Sequence, residues 1–169
     1  MMMYVNMIFI AAFIGYSVGT APVVGYNYGA MRHSELKGLL KRSLVIIGAF
    51  SVGMLIAAIL LARPLAVLFM GYDEELLELT LHGFFIFSFS FLFSGIAIYA
   101  SSFFTALNDG LTSALISFLR TLVFQIAAVL IFPLIWKIDG IWFSVVAAEI
   151  MAAVVSVMLL IMKRKKYKY

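Results

Sequence analysis

Apolar residues run in long blocks, with short polar breaks between them and almost no polar position inside. Five blocks approach or exceed the roughly 20 residues that a helix needs to cross a bilayer, at residues 4–26, 43–61, 79–104, 111–135 and 140–162. The second is followed by Ala62-Arg63-Pro64 and an amphipathic stretch, Leu65–Met70. No alternating pattern of the strand type interrupts them. The pattern predicts an all-α integral membrane protein with five transmembrane helices and a basic tail at 163–169.

The breaks alternate in charge. Met31–Arg42 carries Arg32, Lys37, Lys41 and Arg42 against Glu35, whereas Gly71–Glu78 carries Asp73, Glu74, Glu75 and Glu78. Asn108-Asp109-Gly110 and Trp136-Lys137-Ile138-Asp139-Gly140 are short turns. Basic residues collect on the cytoplasmic side of membrane helices, so the N-terminus is expected outside and the C-terminus inside. An odd number of spans with an external, signal-less start points to a segment missing upstream.

Composition sharpens this reading. Hydrophobic residues make up 65% of the 169 and charged residues only 12%, about half the charged share of a soluble domain. The excess of +4 lies beside the apolar blocks, so it is expected to anchor the chain at a lipid surface rather than on nucleic acid. Cysteine is absent, and His33 and His82 are far apart. No metal-ligand spacing, phosphate loop or nucleophile–base arrangement appears, so neither a cofactor nor an enzymatic activity is expected.

Ionisable groups at membrane depth are costly and mark candidate sites. Glu149 lies nine residues into the fifth block and Arg120 nine residues into the fourth, each about 14 Å deep at 1.5 Å per residue. Glu149 is a candidate proton or Na⁺ site, or a structural partner of Arg120. Gln125 and Asn6 are further polar groups inside blocks, suited to interhelical hydrogen bonds or to ligand contact. The phenylalanines of the third block, Phe84 to Phe93, interleave with serines; they are expected to face lipid, with an aromatic wall for organic ligands as the alternative.

The first block has its own character. Gly15 and Gly19, then Gly25 and Gly29, place small residues four apart, a spacing that lets a second backbone approach. Pro22 kinks the segment, and Tyr26, Asn27 and Tyr28 close it at the water-facing end. The stretch Gly19-Thr-Ala-Pro-Val-Val-Gly-Tyr-Asn-Tyr-Gly-Ala30, with Glu35-Leu36-Lys37 after it, resembles the eighth helix of the multidrug and toxic compound extrusion (MATE) family, in its MepA/DinF-like branch. Ser117-Phe-Leu-Arg120 is similar to the family's eleventh helix, and Gly140-Ile-Trp-Phe-Ser-Val-Val-Ala-Ala-Glu149 to its twelfth.

The resemblance implies a partial C-lobe, helices eight to twelve, of a cation-coupled efflux antiporter. Such a protein works in the bacterial inner membrane, exports amphipathic and often cationic compounds, and uses H⁺ or Na⁺ as coupling ion. An N-lobe chain would be its missing partner, and transport by this chain alone is not expected. A non-transporting interaction subunit, a gene remnant and a lipid-linked oligosaccharide flippase are the alternatives. Glu149, Arg120, Gln125, Tyr26, Asn27 and Tyr28 are the candidate ion or substrate residues. Gly15, Gly19, Pro22, Gly25 and Gly29 are expected to set packing and kink.

Overall fold

The apolar blocks form helices that extend past their polar borders. The computed structural model describes residues 2–71 and 73–169, with Met70 described by its main chain only. Helix α1 is Met2–Gly29 and α2 is His33–Met70. The basic stretch 31–42 is therefore mostly helical, and the turn itself is only Ala30–Arg32. Lys and Arg are good helix formers, so charge alone does not end the helix; Met31, at φ 54°, does. Helix α2 also runs through Pro64 to Met70.

The third block divides. Helix α3, Glu74–Ser88, begins on Asp73, whose carboxylate accepts the Leu76 amide at 3.1 Å. Helix α4, Phe91–Ala106, leaves it at 43°. The Phe89 and Ser90 amides reach back only three residues, to Ile86 and Phe87, so the α-helical ladder is interrupted there.

Next come α5, Gly110–Phe118, a π-helical turn over Leu119–Phe124, and α6, Gln125–Tyr167. From Gly110 to Tyr167 the chain is continuously helical by hydrogen bonding, but it is not one rod. Lys137 has φ 51° and ψ −122°, the geometry of the first central residue of a type II′ turn. The chain folds back there. A Cβ on Gly140 would lie 2.3 Å from the Phe132 carbonyl oxygen, although eight residues along a straight helix would separate them by about 12 Å. Residues 110–136 and 138–167 are thus two antiparallel crossings. With α1, α2 and the bent α3–α4 pair they make five helices.

The bent pair is the centre of the bundle. It touches α1, α2, α5 and α6, and its side chains form the core: Phe84, Phe91, Tyr99, Phe103 and Phe104 are all fully buried. This corrects the expectation that the phenylalanines of this block face lipid. Phe84, Phe87 and Phe91, at helical spacing, point inward, while Phe85 and Phe89 are exposed. Short polar side chains tie the helices together, as expected inside a bilayer. Tyr16 donates to Ser43 at 3.0 Å, Ser102 to the Ser17 carbonyl at 3.2 Å, and Ser101 pairs with Ser113 and Ser117 at 2.8 and 2.9 Å.

At the basic end, the Asp109 turn is clamped to the end of α6. The Asp109 carboxylate accepts from Tyr167 at 2.6 Å, from the Thr112 hydroxyl at 2.8 Å and from Lys163 at 3.4 Å. Burial pushes this carboxyl up, but the Tyr167, Thr112 and Lys163 donors outweigh burial and hold it well below the usual carboxylate range. The rings of Tyr167 and Tyr169 sit against Tyr28, Phe103 and Phe104. The two tyrosines of the basic tail are therefore packed on the bundle, while Arg164, Lys165, Lys166 and Lys168 stay exposed.

Candidate functional site

Within the apolar packing of the five helices, polar side chains from four elements converge on a cleft. It has a volume of about 450 Å³, and its polar lining is Asn6 of α1, Ser90 at the α3–α4 break, Arg120 and Thr121 of the π turn, Gln125, and Glu149. Ile10, Phe87, Trp142 and Val145 supply apolar walls.

The hairpin fold creates the site's electrostatic centre. Arg120 and Glu149 would lie about 43 Å apart on a straight helix of that length. The reversal at Lys137 brings them into contact. Arg120 Nε donates to both Glu149 oxygens, at 3.2 and 3.0 Å, and Nη2 donates to Oε1 at 2.8 Å. The side chains are 19% and 11% exposed. The carboxylate is therefore gripped edge-on by the guanidinium, the strong form of this pair. The π turn begins one residue before Arg120. Such turns widen a helix by one residue and re-aim its side chains.

Gly83 keeps the wall of the cleft in place. A Cβ there would stand 2.4 Å from the Trp142 ring. The absence of a side chain lets the indole approach α3 closely, with its Nε1 buried and unpartnered.

The other sequence candidates lie elsewhere. Tyr26, Asn27 and Tyr28 are at the opposite end of α1, about 30 Å along the helix from Asn6. Tyr26 is 65% exposed with Arg32 over its ring. Asn27 donates to the Val23 carbonyl at 2.8 Å, and Tyr28 packs on Tyr167. None of the three lines the cleft. Of the four α1 glycines, Gly25 alone approaches another helix: its Cβ position is 3.5 Å from the Ala106 carbonyl, whereas Gly15, Gly19 and Gly29 have nothing within 4 Å. Helix α1 continues through Pro22, with the Thr20 hydroxyl donating to the Tyr16 and Ser17 carbonyls. His82 lies 3.2 Å from Asp139. Among the described residues no group of three or more His, Asp or Glu could hold a metal ion.

Sequence reasoning did not single out Ser90, Thr121 and Trp142 as site residues. The only signal for them was position: Thr121 is next to Arg120, Trp142 lies two helical turns before Glu149, and Ser90 sits at a helix break that the apolar pattern conceals.

A helical hairpin packed against a broken central helix, with an ion pair at membrane depth, is the architecture of a multi-pass, all-helical membrane protein. The chain belongs to the MATE family: the MatE family model matches residues 1–131. No curated protein matches it. Among solved structures, a multidrug resistance MATE family transporter of the MOP superfamily in its inward-facing conformation superposes with a TM-score of 0.91 at 20% identity, over 99% of this chain and 39% of that one. The Vibrio cholerae MATE transporter VcmN in the bent form gives a TM-score of 0.86 at 18% identity, over 95% of this chain and 36% of that one. A MOP superfamily transporter from Pyrococcus furiosus gives 0.88 at 21% identity, over 98% and 38%. At these identities the likeness is one of fold. The chain spans under two fifths of the length of each of these transporters.

Proposed function

We propose that the chain acts as the C-lobe part, helices eight to twelve, of a cation-coupled multidrug efflux antiporter of the MepA/DinF-like branch. In this reading it works in a bacterial inner membrane with its N-terminus outside and its basic tail in the cytoplasm. It exports amphipathic, often cationic organic compounds against an inward flow of H⁺ or Na⁺. The observation that carries the proposal is the bidentate Arg120–Glu149 pair at the wall of a cleft wide enough for a small organic molecule.

The chemistry follows from competition for one carboxylate. Glu149 offers two oxygens, and Arg120 occupies both. A proton or Na⁺ arriving at those oxygens competes with the guanidinium, as does the positive end of a cationic substrate. Two cations that displace each other at one carboxylate are exchanged rather than carried together, which is the logic of an antiporter. Gln125 and Asn6 supply neutral dipoles to the entering ion, and Trp142 and Phe87 supply aromatic faces, worth about 0.5–2 kcal/mol per cation contact. Tyr26, Asn27 and Tyr28 are assigned to the cytoplasmic rim of the substrate path.

An N-lobe partner is part of the proposal. The empty space over Gly15, Gly19 and Gly29 supports a face that takes another helix. The test is ethidium accumulation in efflux-deficient bacteria. The chain alone should leave accumulation at the vector level. Co-expression with the N-terminal half of a MATE transporter should lower it, and Glu149→Gln should abolish that effect. Efflux by the chain alone would refute the need for a partner. Co-expression efflux indifferent to Glu149→Gln would refute the site.

A further inference from the structure

The second crossing of the hairpin, residues 138–167, carries a groove on its outer side, away from the cleft. Its deep part is lined by Phe93, Ile96, Ile150, Val154 and Met158, and is almost wholly apolar. It continues between α2 and α6 past Leu40, Leu44, Val157 and Ile161. It opens at Lys37, Lys41, Arg164, Lys165 and Lys168. From Ile150 to Arg164 the path is about 21 Å long at the helical rise. That length runs from the interface past the middle of a hydrocarbon layer about 30 Å thick.

The mouth has five cations and no acidic side chain in its lining. Among the described residues the side-chain ion pairs are His82–Asp139, Arg120–Glu149 and Lys163–Asp109, so none of the five is matched by an acidic side chain. Arg164 donates its Nε to the terminal carboxylate of Tyr169 at 3.1 Å, which leaves Lys37, Lys41, Lys165 and Lys168 with no carboxylate partner among the described residues. The aromatic packing of Tyr169 fixes the tail so that Arg164, Lys165 and Lys168 stay beside Lys37.

We infer that this groove binds an anionic phospholipid. The phosphate sits among Lys37, Lys41, Arg164 and Lys168, and one acyl chain lies along Leu44, Val157 and Ile161 toward Ile150. The charge pattern selects this occupant. An apolar membrane helix laid over the groove would bury four unmatched lysines, a costly arrangement. A zwitterionic lipid brings its own cation to the same mouth. An anionic lipid matches both halves: basic pockets between membrane helices hold such headgroups, and the groove beneath takes the chain.

The test is native mass spectrometry of the full chain in detergent. It is titrated with dioleoylphosphatidylglycerol and, separately, with dioleoylphosphatidylcholine, which has identical acyl chains. The first phosphatidylglycerol adduct should form at a concentration lower by about tenfold or more, since each basic residue at an anionic lipid surface adds appreciably to binding. Lys37→Gln/Lys41→Gln/Lys168→Gln should erase the preference. Arg32→Gln/Arg42→Gln, which changes basic residues outside the groove lining, should keep it. Val157→Trp, which fills the groove and leaves the charges, should weaken the phosphatidylglycerol adduct. Circular dichroism checks that each variant stays helical. Equal binding of the two lipids, or equal losses from the two charge variants, would overturn the site. Val157→Trp without effect would show headgroup binding alone and overturn the acyl groove. The chain has no cysteine, so Ile161→Cys is a unique label. Rapid self-crosslinking through it in phosphatidylglycerol vesicles would show protein over the groove and overturn the lipid as occupant.

Discussion

Arg120→Met in the full chain removes the guanidinium and leaves Glu149 at membrane depth with no cation against it. The Glu149 carboxyl has three close contacts from Arg120, at 2.8–3.2 Å, and is 11% exposed. Removing one member of a buried pair costs about 3–5 kcal/mol, because the survivor stays charged and unpaired. The cleft is open on one side, so the lower figure applies and Arg120→Met should cost about 3 kcal/mol. Glu149→Leu should cost somewhat less, about 2 kcal/mol, because a long arginine can swing its head toward the interface. The double variant, Arg120→Met/Glu149→Leu, replaces both charges with apolar groups and should cost about 1 kcal/mol or less. The readout is unfolding in mixed detergent micelles with added SDS, followed by circular dichroism. The double variant should be more stable than either single one. Additive losses, with the double variant least stable, would refute the reading of the two residues as one mutually dependent pair.

Three further outcomes follow from the clamp and the turn. Tyr167→Phe deletes a 2.6 Å bond to the Asp109 carboxylate and should cost about 1.5–3 kcal/mol, the range for a bond to a charged group, seen as faster proteolysis of the tail. Because Asp109 is held below its ordinary range, its contribution is complete above the unfolded pKa of about 3.9 and is lost as pH falls from there toward the folded value. Tail protection should thus be flat from pH 8 to 5 and fall only below about pH 4; a fall near pH 6 would contradict this. Lys137→Gly relieves a positive φ in a region that favours glycine and should stabilise the chain by about 1 kcal/mol, measured by the same micellar unfolding.

The number of crossings and their polarity in charge were legible because bilayer thickness imposes a length that few other constraints imitate. The edges were not. Residues 31–42 read as a loop, since charge marks the membrane border and not the helix end. The break at Phe89–Ser90 was hidden in a run of phenylalanine and serine with no glycine or proline. Glu149 and Arg120 stood out because a charge inside an apolar block is conspicuous, and their contact was one of the alternatives that the helix order allowed. Trp142 and Ser90 were invisible as site residues, because an indole or a hydroxyl is ordinary in a membrane helix until its neighbours are known. The Asp109–Tyr167 bond joins positions 58 apart, and no local pattern announces it. The basic tail read only as an anchor, since Tyr167 and Tyr169 look interfacial until their rings are seen to pack on the helices.

The bend between α3 and α4 joins two distant polar nodes. Ser90 borders the cleft, and α4 carries the chain from there to the Asp109 turn. The sixteen residues of α4 make an arm about 24 Å long. A swing of about 5° at the bend would carry its far end about 2 Å, enough to break a 2.6 Å hydrogen bond from Tyr167 to Asp109. A change in the cleft that tilted α4 by this much would reach the Asp109 clamp through a single helix, without any loop between them.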